Sequence, residues 1–405
     1  MSGIGNAIII GGGIGGPVAA MALQQAGIEA TVYEAYEGSA DGVGGALSIA
    51  PNGRTALAAI GAEEGVAAAG EPMRGMVMQS WTGKRLAEFG TPPGLPEMLL
   101  VWRADLYRAL YAEAARRGVR IEHGKRIVSL SDEGGRVVAA FADGTSAAGD
   151  VLIGADGIRS TVRGLIDPQA PAPRYCGLLG FGARTSAAGL EPTADKMHMV
   201  FGKRAFFGYQ VTGTEAGWFA NLPHPRPMSA GEARAVGAAE WLRRLQDVFR
   251  DDRVPAVQMI RGTRPEDLVI TGGLEDIPSV PTWHRGRVVL LGDAAHPTSP
   301  SSGQGASMAI ESAVQLARCL RDLPVPQAFA AYEGLRRARV ERIIKMAERT
   351  NSDKAAGPVA RVLRDLLMPV AMRLLASPEK FAWQFDHPID WSAPVSAPEG
   401  VALPT

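Results

Sequence analysis

The sequence predicts an α/β protein, in which a parallel-sheet domain is interrupted by a mostly antiparallel sheet and followed by C-terminal helices. Three observations carry this. Residues 7–10 (Ala-Ile-Ile-Ile) are a short continuous apolar run leading into glycines and then a helical segment, as a strand buried on both faces of a parallel sheet does. Residues 175–285 mix alternating apolar and polar runs with many aromatics, and contain one clear helix, about 231–250. Residues 288–291 (Val-Val-Leu-Leu) return to the buried-strand pattern, and helical periodicity marks 306–320 and most of 328–376.

In order along the chain, residues 18–25 are helical and Gly27 stops them. Residues 31–33 (Thr-Val-Tyr) make the second strand of a βαβ unit, so the first domain is Rossmann-like. Residues 53–70 read as Ala-rich helix, and 76–100 as strands of another sheet. Residues 105–118 read as helix. The runs 137–141 and 151–153 flank Asp143-Gly144, a turn dipeptide, which suggests a hairpin-like excursion. The expected division is a nucleotide domain from 1–75, 101–175 and 285–330, an inserted sheet domain from 76–100 and 176–284, and a helical C-terminal region from 331–405.

Composition excludes several function classes. Lys plus Arg is 42 and Asp plus Glu is 42, a formal net charge of zero, so no electrostatic reason points to nucleic acid or an anionic membrane. The two cysteines, Cys176 and Cys319, form neither a disulfide framework nor a metal-ligand spacing, which fits a cytoplasmic protein. No apolar run approaches the ~18 residues that a membrane span needs, and none is expected.

Three constellations carry chemistry. Gly11-Gly12-Gly13-Ile14-Gly15-Gly16 is a GxGxxG formed by Gly11, Gly13 and Gly16, between a strand and a helix. Gly11 permits the tight turn, Gly13 lets the backbone approach a pyrophosphate, and Gly16 lets helix and strand pack closely. The phosphates then meet the positive end of the helix. Glu34, at the end of the second strand, can accept hydrogen bonds from an adenosine ribose. This motif alone does not separate NAD from FAD. The second constellation does. After the strand at 288–291, Gly292-Asp293 brings a carboxylate to the sheet edge, suited to a polyol hydroxyl, and Gly303-Gln304-Gly305 opens a helix whose N-terminus would stabilise negative charge on a reduced flavin. The third, Gly154-Ala155-Asp156-Gly157-Ile158-Arg159-Ser160-Thr161-Val162-Arg163, again follows a strand.

With these motifs in order, the chain resembles the FAD-dependent aromatic-ring hydroxylases, the flavoprotein monooxygenases of the para-hydroxybenzoate and salicylate hydroxylase type. The resemblance extends to Gly45-Ala46-Leu47, Pro51-Asn52-Gly53, Arg103 in Trp102-Arg103-Ala104-Asp105-Leu106, the helix 332–342 and the region of Trp391. It implies an FAD-binding fold of that type with the inserted sheet as substrate domain. Carried over onto this sequence, Gly11, Gly13, Gly16 and Glu34 serve the ADP half of FAD, Gly15, Ala35 and Ile127 also bind the cofactor, Asp156 lies near the pyrophosphate and the nicotinamide nucleotide, and Asp293 with Gly292 binds the ribityl chain. Gly45, Gly303, Gln304, Gly305 and Ala306 also serve the cofactor; Arg103 reaches its ribityl or phosphate part, and Pro300 lies against the flavin ring. His296 reads as structural. The implied chemistry is monooxygenation with NADH or NADPH and O2 through a flavin C4a-hydroperoxide, hydroxylating or epoxidising a small aromatic or polycyclic substrate, in a monomer or homodimer. Two alternatives keep the fold: a reductase or cyclase that does not oxygenate, and a non-catalytic relative such as the GDP-dissociation inhibitors, against which the intact Gly292-Asp293 argues.

The inserted sheet should roof the substrate pocket. Alternation through residues 202–209 puts Arg204, Phe206 and Gly208 on one face and Phe207 and Tyr209 on the other. Relatives of this type often place an arginine in the pocket where Arg204 stands, which favours that face and suits an anionic or carbonyl substrate group. Tyr209, Phe181 and Trp218 are further pocket candidates for which core packing is the stronger reading. Val359, Val362, Leu363, Leu366, Leu367 and Val370 form a helical apolar stripe expected to pack on the nucleotide domain.

Overall fold

The structure is a computed structural model and describes residues 3–38, 45–354, 357–375 and 382–397. In chain order the elements are β1 (Asn6–Ile10), α1 (Gly15–Gln25), β2 (Glu29–Tyr33), β3 (Ala46–Ile49), α2 (Pro51–Ala59), α3 (Glu63–Ala68), β4 (Glu71–Met73), β5 (Gly75–Ser80), β6 (Arg85–Gly90), β7 (Met98–Trp102) and α4 (Arg103–Arg116). There follow β8 (Arg120–Glu122), β9 (Ile127–Glu133), β10 (Arg136–Phe141), β11 (Ser146–Gly149), β12 (Val151–Gly154), α5 (Thr161–Ile166), β13 (Arg174–Ser186), β14 (Lys196–Phe201), β15 (Phe206–Thr212) and β16 (Glu215–Pro223). The last are α6 (Ala230–Ala235), α7 (Ala238–Phe249), α8 (Ala256–Arg261), β17 (Val269–Asp276), β18 (His284–Arg285), β19 (Val288–Leu290), α9 (Gly305–Asp322), α10 (Val325–Lys354) and α11 (Pro358–Leu375).

The apolar runs at both ends of the nucleotide domain meet in one sheet, ordered β18-β19-β12-β1-β2-β8, parallel except for the short β18. Ile9, Val32, Ile153 and Val289 at its centre are fully buried, and α1 and α9 pack against each other beside them. The insertion is a seven-stranded sheet, β17-β13-β16-β15-β14-β5-β6, antiparallel throughout except where β14 meets β5. One of its faces is covered by α7 and α8, whose Trp241, Leu245, Phe249 and Ile260 form a second core with Phe207 and Trp218.

Several local expectations need correction. The strands β5 and β6 do join the inserted sheet, but Met98–Trp102 pairs with β3 and β4 in a separate small sheet. The Asp143-Gly144 turn joins β10 to β11; residues 151–153 instead lie parallel to β1, because a strand buried on both faces belongs in the central sheet. The helix expected over 231–250 is two, broken at Gly237, whose φ of +94° is outside the helical range. Helix α11 lies against β6 of the inserted sheet rather than on the nucleotide domain, and Val362, Leu363, Leu366 and Leu367 of its apolar stripe are exposed instead of packed. Val359 and Val370 lie outside the residues whose side chains are described. Among the described residues, no helix is long and apolar enough to cross a membrane.

Candidate functional site

The glycine turn after β1 is built by close approach. Gly11 has φ +110°, and a Cβ there would sit 2.4 Å from the Ala155 carbonyl oxygen. A Cβ on Gly16 would sit 2.0 Å from the Gly11 carbonyl oxygen, so these two positions are dictated by packing. Gly13 differs: a Cβ there would meet nothing within 4 Å, and the residue borders a large cavity. The space is left open for something outside the chain. No side chain caps α1, so its first N–H groups are free for an anion. Glu34, ending the second strand, accepts from Gly12 N–H at 2.6 Å and Tyr36 N–H at 3.0 Å, while the Tyr111 hydroxyl donates to Gly12 O at 2.8 Å. Glu34 thus braces the turn; neither it nor Ala35 borders the cavity. The Ile127 side chain is buried in the core.

The Asp156 carboxylate does not border the cavity. It turns inward, accepting from the Ser160 hydroxyl at 2.5 Å and from Val162 N–H at 3.0 Å, and enclosure raises its pKa. A carboxylate beside a helix start finds unpaired N–H donors there, and that local cap wins. Its neighbours Ala155, Gly157 and Ile158 border the cavity instead. Arg163 of the same motif is buried and donates to the Ala294 and Ile158 carbonyls, tying the third constellation to the second.

At that second constellation, Gly292 (φ +59°) turns the chain so that Asp293 opens into the cavity, where Gly45, Arg103 and Tyr107 also stand. Nearby protein desolvates the Asp293 carboxyl and raises it to about 6, although the residue is exposed toward the cavity, and the positive charge of Arg103 opposes the rise. His296 is buried, bonds Ser312 Oγ through Nε2 at 2.9 Å, and is pushed down to about 3 by burial and by Arg336, so it is a neutral structural group as expected. Pro300 sits in a short turn, and Gly303, φ +61°, carries the chain into α9. No side chain caps α9, whose earliest internal bond is Met308 N–H to Gln304 O. Gly303, Gln304, Gly305 and Ala306 border the cavity, so this helix start is aimed into it. Pro51-Asn52-Gly53 is the support behind it. A Cβ on Gly53 would lie 2.8 Å from Ser307 Oγ, and Asn52 donates to Gln304 Oε1 and Glu311 Oε1. Glu311, buried on α9, is held at about 2 against its own desolvation by Arg336 and Arg339 of α10.

Gly13, Gly157, Asp293, Arg103 and the start of α9 border one cavity of about 1220 Å³. That exceeds the ~300–1,000 Å³ of an ordinary single-ligand pocket, and so accommodates a cofactor and a substrate. The end opposite Gly13 is apolar. Met73, Met76, Met78, Met98, Met197 and Met199 line it with Phe206, Phe219 and Phe385. Gly208 makes this wall flat, since a Cβ there would lie 2.1 Å from the Phe219 ring.

Of the three pocket bets on this wall, Phe206 borders the cavity and the other two do not. Arg204 is outside: its guanidinium bonds the Asp247 carbonyl and lies 3.5 and 3.6 Å from the carboxylates of Asp247 and Asp251. The strand begins only at Phe206, so alternation does not extend back to 204. Tyr209 faces the second core, its ring 6.1 Å from Phe207, and it shares a hydrogen bond with His198 Nδ1 at 3.0 Å. Phe181 and Trp218 are core residues too, the first tilted against Trp241 and the second stacked on Phe207, although both also border the cavity. Sequence reasoning missed Tyr107, which was findable one helical turn after Arg103. It also missed Asn221 and Lys354, for which no local pattern exists.

With this geometry in view, the chain was compared with known proteins. The family model described as "FAD binding domain" matches residues 6–260 and 276–347. The chain is 31% identical to the aurachin C monooxygenase/isomerase of Stigmatella aurantiaca, over 81% of this chain and 84% of that one. It is also 31% identical to the FAD-dependent urate hydroxylase of Klebsiella pneumoniae, over 85% and 89%. Among solved structures, the Klebsiella pneumoniae HpxO complex with FAD and uric acid superposes with a TM-score of 0.83 at 27% identity, covering 95% of this chain and 97% of that one.

Proposed function

This chain belongs to the FAD-dependent aromatic-ring hydroxylase family of flavoprotein monooxygenases, and from that premise we propose that it oxygenates a small, largely apolar aromatic or polycyclic substrate held under the methionine wall. The observation that carries the proposal is the single cavity, with open glycine backbone, an uncapped helix start and Asp293 at one end and the Met–Phe surface of the inserted sheet at the other. Such a site binds a polar cofactor and an apolar ring side by side. Methionine side chains adapt to irregular rings, which suits a substrate larger than one ring.

The residues fit FAD. Gly13 and the α1 N-terminus would receive the pyrophosphate, with Gly11, Gly15 and Gly16 shaping the turn and Glu34 near the ribose. Asp293 and Arg103 would take the ribityl hydroxyls. Gly303 to Ala306 would face the isoalloxazine carbonyl edge, where the helix dipole favours the anionic reduced ring, and Pro300 would lie against it. Bound there, FAD would supply the redox chemistry that consumes NADH or NADPH and O2 and leaves one oxygen atom in the substrate and the other in water. The chain's own part is to orient the ring, to exclude water with its apolar wall, and to keep charge balanced at the helix end. The zero net charge gives no electrostatic reason to bind nucleic acid, and the two unpaired cysteines agree with a cytoplasmic protein.

The test is a screen of aromatic and polycyclic compounds with the FAD-loaded protein, following NADH and NADPH oxidation and product mass under isotopically labelled O2. A substrate accelerates reductant oxidation, and one labelled oxygen enters its product. Reductant oxidation with no labelled product from any compound would sink the reading.

A further inference from the structure

The cavity contains an ionisable amine that nothing so far uses. Lys354, the last residue of α10, borders the cavity beside the turn that carries Pro300, and is only 8% exposed. Its Nζ donates to Asn221 Oδ1 at 2.7 Å and to Ser301 Oγ at 2.9 Å, and stands 4.2 Å over the Phe206 ring and 5.9 Å from that of Phe219. These neighbours come from β15, β16 and the turn before α9, and none of them ionises. Among the described residues no carboxylate pairs with it. The other charges bordering the cavity are partnered or opposed: Arg85 pairs with Glu88, and Arg103 stands near Asp293. A buried lysine without a counter-ion is costly, and proteins seldom keep one in an apolar wall without a use.

We infer that Lys354 Nζ is the point where the cavity receives an acidic ring hydroxyl of the substrate, taking its proton so that the ring is held as an anion against the ammonium. The O–H bond breaks, its electron pair stays on oxygen, and a new N–H bond forms. No other reactant is needed. Asn221 and Ser301 fix Nζ through two of its bonds, and the Phe206 face stabilises the ammonium that results. Burial alone moves Lys354 down to about 7, so at neutral pH the amine is ready to accept a proton. The inference rests on the aromatic-substrate reading above and narrows it to hydroxylated rings.

The experiment is equilibrium binding to the FAD-loaded protein, read as the perturbation of flavin absorption, so it does not depend on turnover. The probes are 4-nitrophenol, 2-naphthol and 8-hydroxyquinoline, each beside its O-methyl ether. Wild type should bind a hydroxyl probe about tenfold or more tighter than its ether, as a hydrogen bond to a charged group implies. K354M should bind both at the level of the ether, and K354R should keep part of the preference. Ether binding and FAD content serve as controls on folding. If K354M fails to fold, the pH profile of wild type decides. The pair holds one proton, so affinity for the phenol should peak between about 7 and the probe's own pKa and fall on both sides, while the ether lacks the high-pH fall. If no hydroxyl probe is preferred, if K354M retains the preference, or if the phenol profile matches that of its ether, the inference is overturned. Oxygenation of rings without a hydroxyl, with no such preference, would leave the monooxygenase reading standing and remove this one.

Discussion

The two ends of the cavity are built on different principles. At the cofactor end, function is written in backbone. Gly11 and Gly16 are required because a single carbon atom would strike a carbonyl oxygen, whereas at Gly13 a single carbon atom would meet no protein atom and would enter open space. At the substrate end, function is written in side chains brought from far apart. Lys354, Asn221, Phe206 and Met76 come from four elements and meet only through the fold. The lesson is that steric constraints on backbone leave a local trace, whereas a pocket wall made by long-range packing leaves none.

The sharpest way to break that contrast is to add one methyl group at two neighbouring glycines. At Gly16 the new Cβ meets backbone at 2.0 Å, which cannot yield without separating α1 from β1. G16A should lose on the order of 3 kcal/mol or more and yield little folded protein. At Gly13 there is no protein atom to strike. G13A should unfold within ~0.5 kcal/mol of wild type, yet bind FAD more weakly by roughly tenfold or more. Denaturant unfolding of the cofactor-free proteins and FAD titration read the two effects separately. A G13A protein with normal FAD affinity would show that the open space is not the pyrophosphate site.

This also marks how much was legible. The βαβ unit, the inserted antiparallel sheet and the order of the three motifs follow from apolar runs, glycine positions and turn residues, which are local. The inward turn of the Asp156 carboxylate was not legible, because a motif places the backbone and not the choice of hydrogen-bond donors, here Ser160 and the Val162 N–H a few residues on. Arg204 was misplaced because strand alternation was extended through a turn. Lys354 ends a long polar helix whose sequence resembles any solvated helix end; its burial comes from β15 and β16, which no spacing along α10 announces.

Asp293 offers an intermediate effect with a sign that tests its assignment. Its folded pKa, about 6, lies above the ordinary 3.8, so the cofactor-free protein binds the proton more tightly than the unfolded chain does. Ionised Asp293 therefore destabilises the cofactor-free fold. The penalty is absent below about pH 3.8, develops between 3.8 and 6, and is complete above 6. D293N should then stabilise the cofactor-free protein at neutral pH and leave it unchanged near pH 4. The same change should weaken FAD by about tenfold, through loss of a charged acceptor. Thermal unfolding at the two pH values and FAD titration must move in opposite directions. If both improve, Asp293 does not hold the cofactor.

The smallest effect is expected at Arg204. Its guanidinium is half in water, paired with Asp247 and Asp251 on the outer side of the sheet, so the pairs contribute little. R204A should change stability by no more than ~1 kcal/mol and leave the KM for any substrate found in the screen as it was. Steady-state kinetics and denaturant unfolding check both. A well-folded R204A with a KM raised tenfold would mean that Arg204 swings over the sheet edge into the cavity when substrate is present. The anion-binding role would then pass from Lys354 to Arg204, and the alternation drawn through residues 202–209 would describe the bound state.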